Sequence, residues 1–328
     1  MNVLITGGAG YIGSHVVKAL KEAGHKPVVL DNLVKGHREA VRDSIFIAGD
    51  IADSELLGDI FTDYDIEGVI HLAAHSLVGE SMEKPGKYYR NNFCGGVNLL
   101  ETMIEHEIRY IVFSSTAAVY GEPEEIPIPE NHPVRPENIY GESKVFFEQA
   151  LERYDQIHGL KYSSLRYFNA AGADLAGEIG EAHEPETHLI PIVLQKALGE
   201  REELYIFGDD YDTRDGSCIR DYIHVNDLAD AHILALEDLA AGGESDIFNL
   251  GNGRGYSVKE VIAVAGKVAG RELEAEVGDR RPGDPARLVA SSQKIRDRLG
   301  WEPQYPQLET IIETAWNWHR KGGFDADA

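Results

Sequence analysis

The residues of this chain best suited to chemistry are a tyrosine and a lysine four positions apart, in Tyr140-Gly-Glu-Ser-Lys144. A phenol titrates near ~10, so work as a base near neutral pH needs its phenolate stabilised by about 4 kcal/mol. An ammonium four residues on, along the same helical face, is one source of that stabilisation. A further positive charge held close by is another. Upstream, Ser114-Ser115-Thr116 ends an apolar run and offers hydroxyls that can bridge a substrate alcohol to the tyrosine. Tyr140 then takes the alcohol proton while hydride leaves the same carbon. Any helix can carry such a pair by chance, so the elements around it must decide.

Those elements read as alternating strands and helices. Asn2–Thr6 is apolar, a glycine loop follows, and Ile12–Ala23 has helical periodicity. Lys26–Leu30, Ser44–Ala48, Gly68–Leu72, Tyr110–Ser114 and Tyr162–Tyr167 read as further strands. Helices are expected from about Tyr88 to His106 and from about Tyr140 to His158. The pattern predicts an α/β fold, a doubly wound parallel sheet (Rossmann) with a smaller interleaved C-terminal substrate-capping domain. The expected boundaries are residues 1–169 for the nucleotide-binding part, rejoined by segments near 217–252. Residues 170–216 and 253–328 make the second part. The proline-rich loop between Gly121 and Asn138 joins two catalytic segments and either borders the site or is a plain surface connection.

Gly7, Gly10 and Gly13 have the spacing GxxGxxG, which lets backbone approach a pyrophosphate at a helix N-terminus. Asp31 ends the next strand, where a carboxylate accepts from a ribose 2′-hydroxyl and repels a 2′-phosphate, so NAD is expected rather than NADP. Asp50 and Ile51, after the third strand, can cradle the adenine. Asp31 and Asp50 as mere strand-end caps is the plainer alternative.

Composition narrows the partners. With 328 residues and a net charge of −25, the chain has no basic stripe and is not expected to bind nucleic acid. Cys94 and Cys218 are far apart, which fits reduced thiols. Neither a signal peptide nor a membrane span is read, so a soluble cytoplasmic protein is expected. His15, His25, His37 and the other histidines read as scattered, and no metal is expected. Trp301 reads as packing.

Set side by side, Thr6-Gly-Gly-Ala-Gly-Tyr-Ile-Gly-Ser-His15, Asp31-Asn32, Gly49-Asp50, His71-Leu-Ala-Ala74, Val119-Tyr-Gly121, Tyr140-Gly-Glu-Ser-Lys144 and Arg166-Tyr-Phe-Asn169 resemble the extended short-chain dehydrogenase/reductase superfamily. Val78-Gly-Glu-Ser81, Lys84-Pro85, Tyr88-Tyr89, His188-Leu-Ile-Pro191, Arg220-Asp-Tyr-Ile-His-Val225 and Arg280-Arg-Pro-Gly-Asp284 resemble, within it, the UDP-glucose 4-epimerase family. The resemblance runs from residue 1 to about Trp318. It implies NAD-dependent inversion at C4 of a UDP-hexose through a bound 4-keto sugar, with Tyr140 as base, Lys144 tuning it and Thr116 relaying the O4 proton. It also implies cofactor contacts from Gly7, Gly10, Tyr11, Ile12, Gly13, Asp31, Asn32, Asp50, Ile51, Leu72, Ala73, Ala74, Asn91, Ser114 and Tyr167, besides Tyr140 and Lys144. Asn169, Leu189, Phe207, Arg220, Arg281 and Asp284 fall where the UDP moiety is held, and His188 stands where other members have an asparagine.

The departures are informative. Ser76 replaces a lysine near the cofactor phosphates. Leu288 stands where some members place a tyrosine against the sugar's C2 substituent, so turnover of N-acetylated UDP-hexoses is an alternative expectation. A 4,6-dehydratase is disfavoured because Ala117 and Ala118 occupy the places of its acid–base pair. A non-catalytic NAD-binding sensor would have no need of the Tyr140/Lys144 pair. By resemblance, the helices around 88–106 and 140–158 build a homodimer interface.

Overall fold

Apolar runs with no polar alternation require a sheet covered on both faces. The structure, a computed structural model describing residues 1–281 and 284–324, has one. Strands β1 (Asn2–Thr6), β2 (Lys26–Asp31), β3 (Ile45–Ala48), β4 (Gly68–His71), β5 (Tyr110–Thr116) and β6 (Lys161–Tyr167) lie parallel with the strand Asp246–Leu250. Their order is Asp246–Leu250, β6, β5, β4, β1, β2, β3. Sequence order reverses between β1 and β4, which opens a crevice at the carboxyl ends of the strands.

Each face is sealed by helices whose apolar stripe meets the sheet. Helices Tyr11–Glu22 and Val225–Ala240 bring Val16, Leu20, Leu228 and Leu236 against Val3 and Ile5 on one side. On the other, Ser54–Asp63, Gly96–Glu105 and Ile139–His158 bring Leu57, Leu99, Phe147 and Leu151 against Leu4 and Val69. A second core gathers helices Leu189–Leu198, Val258–Ala269 and Leu308–His319 through Val193, Val261 and Ile311. Small ladders join the two halves. Asn169–Ala171 pairs in parallel with Ile219–His224, which pairs antiparallel with Gly255–Ser257 and parallel with Arg287–Leu288. No helix among the described residues is long and apolar enough to cross a membrane.

The strands fall within a residue or two of their expected positions, but the expected long helix at 88–106 is divided. Pro85–Tyr88 is one α-turn, Tyr89–Gly95 widens to a π-helix, and Gly96–Glu105 is α again. The buried Asn92 amide explains the widening. It donates to the His75 carbonyl at 2.9 Å and to Ser143 Oγ at 3.1 Å, while its oxygen accepts from His75 N at 2.9 Å. Gly96 follows because a Cβ there would meet the Phe147 ring at 2.5 Å.

Below the carboxyl end of β5 lies a buried polar chain. Ser115 Oγ donates to Glu148 Oε1 at 2.6 Å, and Arg166 grips both Glu148 oxygens, at 2.9 and 2.6 Å. Arg166 also donates to the Tyr120 hydroxyl at 3.0 Å, which donates to Asn249 Oδ1 at 2.6 Å. Breaking such a pair by removing one partner strands a buried charge. Glu148→Gln is therefore expected to lose about 3–5 kcal/mol in urea denaturation, and the double variant Glu148→Met/Arg166→Met to lose less. A double variant weaker than the single one would contradict this.

Candidate active site

The loop after β1 is shaped for backbone to approach a ligand. Gly7 has φ +73°, and a Cβ on it would meet the Ala73 backbone at 2.7 Å. A Cβ on Gly13 would meet the Gly7 carbonyl at 2.2 Å. Gly10 caps helix Tyr11–Glu22 with no side-chain hydrogen bond, so no side chain of the cap competes for the first-turn N–H groups. Tyr11 and Ile12 open that helix; the Tyr11 hydroxyl donates to the Gly172 carbonyl at 2.7 Å.

Asp31, at the end of β2, is almost fully buried, and burial pushes its carboxyl above the usual range against the pull of two backbone hydrogen bonds. Those come from Ala9 N at 3.0 Å and Leu33 N at 2.8 Å, so one carboxylate ties the glycine loop to the strand end. Lone pairs remain for a ribose hydroxyl. Asn32 Nδ2 donates to Asp50 Oδ2 at 2.8 Å, and Ala52 N donates to Asp50 Oδ1 at 3.0 Å. Ile51 is buried, while Leu72, Ala73 and Ala74 continue from β4 half-buried. Asn91 donates to Asn92 Oδ1 at 3.0 Å in the π-helical turn, and Ser76 is exposed. A cradle closed to any Cβ, an uncapped helix N-terminus and a strand-end carboxylate fit a dinucleotide such as NAD.

The catalytic segment is built from β5 and helix Ile139–His158. Asn138 caps the helix by accepting from Gly141 N at 2.8 Å. Gly141 lets the helix press on the strand end, since a Cβ there would meet the Ala118 carbonyl at 2.5 Å. Tyr140 is half-buried in the first turn and Thr116, at the end of β5, is 9 % exposed. Burial raises the Tyr140 phenol above its ordinary value, with the Thr116 hydroxyl pulling the other way. Lys144 is 2 % exposed, and its ammonium donates to the Ser114 carbonyl at 2.7 Å. It stands 5.8 Å from the Tyr140 ring centre. Ser114 Oγ and the buried Tyr167 hydroxyl are hydrogen-bonded. Burial lowers Lys144 to about 7, with Glu148 opposing. The pair is adjacent as expected. Burial thus opposes the charged form of both groups.

On the substrate side, Asn169 Nδ2 donates to the Asp221 carbonyl at 2.8 Å. Arg220 pairs with Asp284 and donates to the Ile219 carbonyl at 2.8 Å. Arg281 lies 4.0 Å above the Phe207 ring, and Asp284 N donates to the Arg281 carbonyl at 3.3 Å. Arg220, Asp284, Arg281 and Phe207 are therefore linked, although Pro282 and Gly283 lie outside the described residues. Leu189 opens helix Leu189–Leu198, half-buried. His188 caps that helix, yet its Nδ1 is turned to Glu181 rather than left for a phosphate. Leu288 is half-buried against a cluster containing Val119, Tyr120 and Ile128.

Two groups escaped the sequence reading. Arg166 was read only as part of Arg166-Tyr-Phe-Asn169 and Glu148 not at all, and only the fold reveals their pairing. Glu181, His183, Glu186 and His188 converge although the histidines read as scattered; the spacing Glu-x-His-x-x-Glu-x-His was the available signal.

The model of the NAD dependent epimerase/dehydratase family matches residues 3–251. A UDP-glucose 4-epimerase from Halalkalibacterium halodurans is 59 % identical over 98 % of this chain and 96 % of its own. The crystal structure of UDP-glucose 4-epimerase from Brucella ovis in complex with NAD has a TM-score of 0.94 and 47 % identity, covering 96 % of this chain and 97 % of the other. The enzyme from Bifidobacterium longum in complex with NAD+ and UDP has a TM-score of 0.92 and 37 % identity, with 98 % of each chain covered.

Lys144 titrates near 7 in the fold against an ordinary 10.5. Between those values the unfolded chain holds a proton that the folded chain lacks. The charge's burial therefore costs stability fully below pH 7, and the cost is gone above about 10.5. Ligand-free Lys144→Met should accordingly be more stable than the parent at pH 7, by about 1–2 kcal/mol, with the gain shrinking toward alkaline pH. Thermal midpoints across that range test the idea, which a less stable variant would overturn.

Proposed function

The chain belongs to the NAD dependent epimerase/dehydratase family, and from that premise we propose that it interconverts UDP-glucose and UDP-galactose by inverting C4. The observation that carries the reading is Tyr140 beside Thr116 at the carboxyl end of β5, with the Lys144 ammonium behind. When bound, NAD+ supplies a reversible hydride acceptor at C4 and is unchanged after a turnover, and its nicotinamide adds the positive charge that the Tyr140 phenolate needs. Gly7, Gly10 and Gly13 admit its pyrophosphate to the helix N-terminus, and Asp31 takes the adenosine ribose.

Tyr140 removes the O4 proton, and Thr116 holds O4 against the phenol oxygen. Lys144, fixed by the Ser114 carbonyl, stabilises the phenolate once a neighbouring charge and a closed site favour it. Oxidation leaves a planar 4-keto carbon, so the stereochemistry is set by which sugar face is presented on reduction. Arg220 and Arg281 keep the diphosphate in place while the hexose turns over, guanidinium forks matching phosphate oxygens. Phe207 packs on the flat uracil, Asp284 and Asn169 accept and donate to polar groups of the nucleotide, and Leu189 packs beside them. As C4 takes hydride back on its opposite face, Tyr140 returns its proton to O4.

Purified protein given UDP-galactose without added NAD+ is expected to form UDP-glucose, and Tyr140→Phe to slow this by about 10²–10⁴-fold. Wild-type rates in that variant would remove Tyr140 from the mechanism. In a parallel incubation, UDP-N-acetylgalactosamine measures what Leu288 admits at C2, and Leu288→Tyr should cut only that activity.

The same reading pairs two copies through helices Gly96–Glu105 and Ile139–His158 in a cytoplasmic homodimer. Ile157, 71 % exposed on the second helix, supports a covered face there, and the free thiols Cys94 and Cys218 support a reducing compartment. Light scattering should give twice the 36.2 kDa chain mass; a monomer would count against the pairing.

A further inference from the structure

The segment between strand Asn169–Ala171 and helix Leu189–Leu198 brings four ligand-type side chains to one point. Their donor atoms, one each from Glu181, His183, Glu186 and His188, all lie within 4.8 Å of one another. His183 Nδ1 is 3.0 Å from Glu181 Oε1, His188 Nδ1 contacts the same oxygen, and Glu186 Oε1 is 3.9 Å from His188 Nδ1. We propose that these residues form a structural site for a divalent transition cation of the zinc class, none of them belonging to the Tyr140/Lys144/Thr116 group.

Three observations carry the proposal. The first is the donor set: two imidazoles and two carboxylates suit Zn²⁺, and four protein donors leave no open position, the mark of a structural site. The second is charge. Glu181 and Glu186 side chains are each only 4 % exposed, and among the described residues no lysine or arginine comes within ion-pair distance of either. Two nearly buried carboxylates side by side repel each other, and a cation between them offsets that repulsion. The third is geometry. Zinc–ligand bonds of about 2.0–2.2 Å put tetrahedral donors roughly 3.3 Å apart, so even the widest pair closes by about 1.5 Å. The His183 and His188 side chains, 26 % and 54 % exposed, are free to make that movement.

The site would act as a clamp. Trp318 donates to the Glu181 carbonyl at 2.8 Å, His37 contacts the Ala182 carbonyl at 2.7 Å, and the Tyr11 ring meets His183 edge-on at 6.3 Å. One cation would thus fix the junction of the first helix, the loop after β2, the C-terminal helix and the start of helix Leu189–Leu198.

The test uses the full chain, stripped with a chelator, desalted and titrated with Zn²⁺ against a chromophoric competitor. One site per chain with submicromolar affinity is expected, together with a rise of several degrees in thermal midpoint. Co²⁺ substitution should give the intense visible band of a tetrahedral centre. His183→Ala and, as a second variant, Glu186→Gln should each weaken zinc at least 100-fold and abolish the rise, while their chelated midpoints match the chelated parent. Failure to bind, or equal binding by parent and both variants, would overturn the site and leave a hydrogen-bonded Glu–His cluster. Neither result bears on C4 inversion, since the readouts are binding, colour and melting.

Discussion

One helix lies against one strand end, and the catalytic half of the molecule depends on how closely it lies. Along the helix Ile139–His158, Gly141, Lys144 and Glu148 recur at helical spacing and meet β5 and the turn after it in sequence. Gly141 leaves room for the Ala118 carbonyl that any Cβ would meet, Lys144 binds the Ser114 carbonyl and Glu148 binds the Ser115 hydroxyl. Two of these are ionisable groups in an apolar setting, which folding tolerates only with partners in place. Arg166, on β6, answers Glu148, and so the ladder between β5 and β6 is part of the same arrangement. Tyr140 occupies the first turn of this docked helix, and its position relative to Thr116 follows from contacts that never touch a substrate.

Legibility in the sequence varied with the range of the forces involved. β1, β2 and β4 were readable because each buries an unbroken apolar run, and the glycine loop because local backbone geometry admits no side chain at Gly7 or Gly13. Tyr140 and Lys144 were readable as a pair, since a helix fixes the distance between positions four apart. The direction of their titration was not, because burial is set by residues from β5 and the sheet beyond. The π-helical turn was hidden for the same reason: it answers to Asn92 meeting His75 and Ser143, which are distant in sequence. His188 looked like a phosphate neighbour by position, and only the folded loop shows it drawn to Glu181.

The charge of the molecule sharpens the role of its few placed cations. At a net −25, the general field opposes an anionic nucleotide, so attraction must be local. Arg220 and Arg281 lie in the second half, one against Asp284 and the other over Phe207, held before any ligand arrives. In the proposed role of holding the nucleotide, guanidinium groups already oriented lose less freedom on binding than free ones.

The path of the chain between its two cores has a further consequence. After β6 it leaves for the second core, returns as helix Val225–Ala240 and strand Asp246–Leu250, departs again, and comes back with Ile295 and Trp301 before finishing in helix Leu308–His319. Cutting out the second half would strip the helix that covers β1 and the strand that edges β6. Neither half is a contiguous segment of the chain that could be moved by itself. New specificity in such an architecture has to accumulate through individual side chains within a single cooperative unit.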